Sequence, residues 1–215
     1  MWTPPFNKMP EDELRPMVAD VGSAELITVG TDGFPIATRL PVVWRGDELR
    51  FHMAVANPQW RELKDGSPAL AVVTGPEAYI TPSWYAGKRT HGREVPTWNY
   101  TAIQFRGRVR VFRDIDGLRE TVSELTDAQE RRRDEPWAVS DAPDTFVDQQ
   151  LRAIVGVDMR IEAITARAKR SQNRTLEDRR TVVEGLREGT AMEQVMAAQM
   201  AADLASEPSA EPTQD

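Results

Sequence analysis

From residue 101 to 112 the chain alternates too regularly to be anything but a strand. Ile103, Phe105, Val109 and Val111 point one way, and Gln104, Arg106, Arg108 and Arg110 the other. A strand of that length needs paired neighbours and a core against its apolar face, so it commits the chain to a sheet. The same period returns at Val155, Val157, Met159 and Ile161, set against Gly156, Asp158, Arg160 and Glu162. Nearer the start, residues 24–30, the turn Thr31-Asp32-Gly33, residues 34–44, the turn Arg45-Gly46-Asp47 and residues 49–54 read as a β-meander. Pro35 and Pro41 remove ladder donors, which places the second of these strands on an edge or at a bulge. Residues 69–74 and 78–81 return to strand. About six strands without alternating βα units give an α+β chain: a small antiparallel six-stranded barrel with peripheral helices, not a doubly wound sheet.

Helical spacing marks the rest. Leu14, Met17, Val18 and Val21 predict a helix over residues 11–21; Ile115, Leu118, Val122 and Leu125 predict a second, and Val147, Leu151 and Ile154 a third. A helical arm is expected from residue 176 to 204, with Met192, Met196 and Met200 as its packing stripe. These signals divide the chain into a domain over residues 1–186, a helical extension over 187–204 and a disordered acidic tail over 205–215.

Composition removes several kinds of chemistry. The chain has no cysteine, which excludes disulfides, thiolate nucleophiles and iron–sulfur clusters. Its only histidines, His52 and His91, have no acidic pair at helical ligand spacing, so a multi-histidine metal centre is not expected. No nucleophile elbow, phosphate-binding lysine loop or dinucleotide fingerprint occurs. Of the net charge of −7, four acids fall in residues 201–215, leaving about −3 elsewhere. An acidic body lacks the electrostatic footprint of a DNA-binding domain, so direct sequence-specific DNA binding is not expected. With no basic leader and no apolar run of membrane-spanning length, the expectation is a cytoplasmic protein.

What remains is suited to binding. Ser83-Trp84-Tyr85 and Trp98-Asn99 place large rings beside hydrogen-bonding groups on either side of the connector 86–93, which reads as a mobile loop. Between them a flat polar ligand would fit; ordinary core burial of the rings explains the same residues. Asn57-Pro58-Gln59 reads as a helix start, either an anion site or simple capping. His52, on the strand face shared with Arg50, could ligate a haem iron or only hydrogen-bond. The cations and amides of Lys169-Arg170-Ser171-Gln172-Asn173-Arg174 could close over a phosphate, a carboxylate or ring heteroatoms, or form a solvated loop that caps the next helix.

Taken in order, Ala37-Thr38-Arg39-Leu40-Pro41, His52 with Asn57-Pro58-Gln59-Trp60, Gly75 through Tyr85, Val95-Pro96-Thr97-Trp98-Asn99-Tyr100, Glu135-Pro136-Trp137 with Ser140-Asp141-Ala142-Pro143, Ala153-Ile154-Val155-Gly156 and Ser171-Gln172-Asn173-Arg174 resemble the PaiB family. That family is described as FMN-binding negative transcriptional regulators of split-barrel fold. The resemblance implies a homodimer with FMN at the subunit interface. It puts the phosphate near Asn57 and Gln59, and the ring among Thr38, Arg39, Trp84, Tyr85, Trp98 and Asn99, with Ser171, Gln172 and Asn173 nearby. Arg39 stands where the family has His, Val55 where it has Arg, Arg170 where it has Leu, and Phe51 where it has Gly. Two alternatives accompany FMN: a haem b-dependent enzyme of the piperazate synthase or haem-degrading type with His52 as axial ligand, and a cofactor-free interaction protein.

Overall fold

The computed structural model describes residues 1–206, the side chains of Arg89 and Thr90 excepted. Its elements are α1 (Glu11–Val21), β1 (Ser23–Val29), β2 (Pro35–Arg45), β3 (Glu48–Ala54), β4 (Ser67–Ile80), α2 (Gly87–His91), β5 (Thr97–Phe112), α3 (Ile115–Glu130), α4 (Asp144–Leu151), β6 (Ile154–Lys169), α5 (Leu176–Arg187) and α6 (Ala191–Ser206). The strands hydrogen-bond in the order β1-β2-β3-β6-β5-β4 and close into a barrel, which removes the free edges an open sheet would leave. This is the expected α+β architecture.

β2 is not an edge strand. Its residues 35–41 pair with β1 and its residues 42–45 with β3. Pro35 and Pro41 are the first and last residues of the β1 ladder, each paired on one side, so the absent N–H groups cost little.

Two compact units share the long strands. The first comprises Met9–Thr74 and Ala102–Ala166 with Met1; the second comprises Trp2–Lys8, Gly75–Thr101 and the chain from Arg167. Inside the first, Leu26, Leu49, Phe51, Ile103, Phe105, Val157 and Met159 are fully buried, and Trp44 meets Phe105 edge-on at 4.9 Å. A satellite cluster joins Phe112 to Leu118, Val139, Val147 and Leu151 of the α3–α4 region. The ring of Phe112 can lie there only because residue 156 is glycine: a Cβ at that position would stand 2.1 Å from its ring. Buried Asp158 gathers Arg50 at 2.7 Å and Arg110 at 2.8 Å, and Arg50 also reaches Glu120 at 2.7 Å.

The second unit is built on one cluster, in which Ala78, Ile80 and Tyr85 pack against Val182, Val183 and Leu186 of α5 and Met196 and Met200 of α6. Two expectations change here. The single helical arm is two helices, because Thr190 and Glu193 form a reciprocal cap: Glu193 accepts from Thr190 N at 2.7 Å, and Thr190 Oγ1 accepts from Glu193 N at 3.3 Å. The connector 86–93, expected as a loop, contains α2, closed by Gly92 at φ 66°. The expected domain limit at 186 falls at the end of α5, whose partner α6 belongs to the same cluster. Of the expected tail, Ala205 and Ser206 are in α6 and the rest lies outside the described residues.

Candidate functional site

Thr38, Arg39, His52, Asn57 and Gln59 lie in the first unit, and the other sequence candidates in the second. The Asn57 segment is not the start of an α-helix but a 3-10 turn over Pro58–Glu62, too short to carry a macrodipole. Its first free N–H, that of Gln59, already donates to Asn57 Oδ1 at 3.0 Å, while Asn57 Nδ2 donates to Thr38 Oγ1 at 3.0 Å. Gln59 is 0% exposed, and its amide nitrogen lies within 3.0 to 3.2 Å of Leu26 O, Thr28 Oγ1 and Ile36 O. These side chains hold the turn to β1 and β2. Arg39 points outward to Glu25 at 3.1 Å and Ser23 at 3.2 Å.

His52 is half-buried on the Arg50 face of β3. Burial pushes its pKa below the ordinary 6.5, so the imidazole is neutral, and its Nδ1 has no hydrogen-bond partner. Beside it, Asp158 and Glu120 hold the Arg50 guanidinium well above its ordinary pKa against the opposing effect of burial.

In the second unit several candidates turn inward. Asn99 is 0% exposed; its amide donates to Ser171 Oγ at 2.9 Å and contacts Met200 Sδ at 3.6 Å. Ser171 itself sits at φ 64°, in the left-handed region. Gln172 closes the same turn, accepting from Arg170 N at 2.7 Å and donating to Ala168 O. Tyr85 is buried beneath Arg174, whose guanidinium carbon stands 4.3 Å from the ring centroid. Exposed Ser83 accepts from Lys88 Nζ at 2.8 Å. The expected phosphate-closing segment therefore has its cations engaged: Lys169 with Thr97, Arg170 with Asp203, and Arg174 with Glu94.

Other side chains turn outward. On the ends of β4, β5 and β6 the buried residues are Ala78, Asn99 and Ala168, so Glu77, Tyr79, Trp98, Tyr100, Arg167 and Lys169 take the opposite face. Trp98 is 48% exposed, donates to Glu77 at 3.1 Å and lies 6.3 Å from the Tyr79 ring. Arg167 stands 5.3 Å from the Tyr100 ring, and burial, reinforced by Arg167, lowers the Lys169 pKa from its ordinary 10.5. Among the described residues no cluster of three metal-ligating side chains occurs.

The profile of the family described as "Putative FMN-binding domain" matches residues 1–163. Along 191 residues, 86% of this chain and 89% of the other, the sequence is 32% identical to the protease synthase and sporulation protein PAI 2 of Bacillus subtilis. The chain belongs to the PaiB family. An uncharacterized protein of Aspergillus fumigatus is 32% identical over 169 residues, 64% of this chain and 65% of that one. Among the solved structures that share the fold are two from mycobacteria. A conserved hypothetical protein of Mycobacterium tuberculosis superposes with a TM-score of 0.59 at 15% identity, over 81% of this chain and 94% of that one. The FAD and heme binding protein of Mycobacterium smegmatis gives 0.57 at 20% identity, over 76% and 73%.

Membership of the PaiB family supports FMN as the cofactor. The outward Tyr79, Tyr100 and Arg167 were not among the sequence candidates, although the two-residue period linking Tyr79 to Glu77 and Trp98 to Tyr100 was there to read. Trp84 and Asn173 go elsewhere, into a cleft of about 730 Å³ that also receives His91, Glu94, Arg174 and Asp178.

Proposed function

We propose that this PaiB-family chain is an FMN-binding protein whose flavin lies on the outward face of the second unit. The observation that carries this reading is Trp98: a large ring left 48% exposed while Glu77 and Tyr79 fix its position. Solvating that ring has a cost that a flat apolar ligand would remove. Tyr79 and Trp98 would supply the stacking surface, while Arg167, beside the Tyr100 ring, is a cation on the same face suited to an anionic phosphate. FMN, when bound, would supply reversible electron and hydride acceptance.

A second copy of the chain is the proposed partner. In the first unit Phe34 is 72% and Val29 58% exposed, and a groove of about 590 Å³ is lined by Ile27, Val29, Pro35 and Leu70. Pairing of two chains would cover these groups. Any effect on transcription is proposed to be indirect, since Arg108 is held by Glu162 at 3.0 Å and Arg110 by Asp158, which leaves little free positive charge on β5 for phosphates. No helix among the described residues is long and apolar enough to cross a membrane.

The haem b reading rests on one feature, the neutral His52 with an unpartnered Nδ1. Absorption spectra of the purified protein before and after addition of FMN or haemin separate the two. A shifted flavin band with no Soret band supports the proposal; a Soret band that changes in His52→Ala supports haem and overturns it.

A further inference from the structure

The segment ahead of α1 reaches the outward face of the second unit. Residues Trp2–Lys8 belong to that unit, and Lys8 forms a lone antiparallel bridge with Arg167 near the end of β6. Pro4 and Asn7 are buried and anchor the segment, whereas Trp2 is 79% exposed. What ties Trp2 down is Arg167. Its Nη1 donates to Trp2 O at 3.3 Å, and its guanidinium carbon stands 5.9 Å from the Trp2 ring and 5.3 Å from that of Tyr100.

Two polar atoms at this junction are orphans. Arg167 Nε and Thr3 Oγ1 are buried without a hydrogen-bond partner, and among the described residues no carboxylate pairs with Arg167. An unmade bond to a buried donor is costly, most of all on a charged group. The acid on the same face, Glu77, is taken by Trp98 Nε1 at 3.1 Å. Trp98 and Tyr100 lie two residues apart on one side of β5, about 7 Å along the strand. A flat ring on Trp98 and an anion on Arg167 are therefore within reach of one small ligand.

We propose that the segment Trp2–Lys8 is the phosphate clasp of the flavin site: Arg167 Nε and Thr3 Oγ1 donate to the phosphate oxygens, and Trp2 shields them from solvent. The assignment rests on the flavin reading above. It moves the phosphate away from the Asn57 turn, whose first free N–H is already used by Asn57 Oδ1. Both orphan atoms are covered by protein, so Trp2 and Thr3 swing aside on the buried Pro4 to admit the phosphate and close on it afterwards.

FMN and riboflavin differ only in the phosphate, so titrating both into the full chain and following flavin fluorescence separates the phosphate site from the ring site. The parent should bind FMN at least tenfold more tightly than riboflavin. Arg167→Gln should bring the two affinities together while riboflavin binding stays as in the parent. Thr3→Val, which replaces the hydroxyl by a methyl of like shape, and Trp2→Ala, at an exposed ring, should each narrow the gap several-fold, and Trp2→Phe should keep it. Equal affinity for FMN and riboflavin in the parent, or a preference for FMN that survives in both Arg167→Gln and Trp2→Ala, would overturn the clasp and leave the flavin on its face. Failure of both flavins to bind would overturn the flavin reading and the clasp with it.

Discussion

Asn99 donates its side-chain amide to Ser171 Oγ across 2.9 Å, joining β5 to a turn whose serine adopts a left-handed backbone conformation. Both residues are at most 3% exposed, so the bond has no water to replace it. Asn99→Ala would leave Ser171 short of a partner and open space beside Met200. The expected loss is about 1–3 kcal/mol of stability, seen as a lower urea midpoint with an unchanged slope. An unchanged midpoint would show that the bond is not holding the turn.

Asp158 holds two arginines while only 3% exposed. Removing it in Asp158→Ala strands Arg50, although Glu120 remains as a partner and Arg110 stays largely in water. The expected cost is therefore about 3 kcal/mol, the lower end for breaking a buried pair. Chemical denaturation measures it, and a loss below about 1 kcal/mol would mean that the network behaves as a surface feature.

His52 gives a pH dependence with a definite sign. Burial lowers its folded pKa below 6.5, so as pH falls through 6.5 the unfolded chain gains a proton that the folded chain resists. Its contribution is fully present above 6.5 and is lost on acidification towards the folded pKa. The difference in urea midpoint between pH 7.5 and pH 5.5 should be smaller in His52→Gln than in the parent; an identical difference would remove His52 as the cause.

The barrel was legible because its signal is local. Period-two alternation in β5 and β6, the two glycine turns of the meander and the stripe of α1 each specify an element without knowledge of its neighbours. Residues whose roles depend on distant partners were not legible. Gln59 and Asn99 have the amides of ligand-binding groups, yet residues 33 and 72 positions away take those amides into the fold. Nothing local distinguishes a buried amide from an exposed one. The break between α5 and α6 was written in Thr190-Ala191-Met192-Glu193, a capping box that the surrounding helix-forming residues obscured.

The apolar groove and exposed Phe34 of the first unit predict self-association. Sedimentation at micromolar concentration should give a dimer, and Phe34→Asp should shift it towards monomer with its circular dichroism spectrum unchanged, since the side chain is 72% exposed in the single chain. A monomeric parent protein with cofactor present would contradict the pairing.

Fluorescence titration of FMN into the parent protein and into Trp98→Ala tests the central claim most directly. A ring stacked on indole is quenched, so the parent should quench FMN saturably, and Trp98→Ala should bind roughly tenfold or more weakly through loss of about 1–3 kcal/mol of stacking. Saturable quenching of equal strength in both proteins would place the flavin elsewhere, and no quenching in either would contradict flavin binding by this chain.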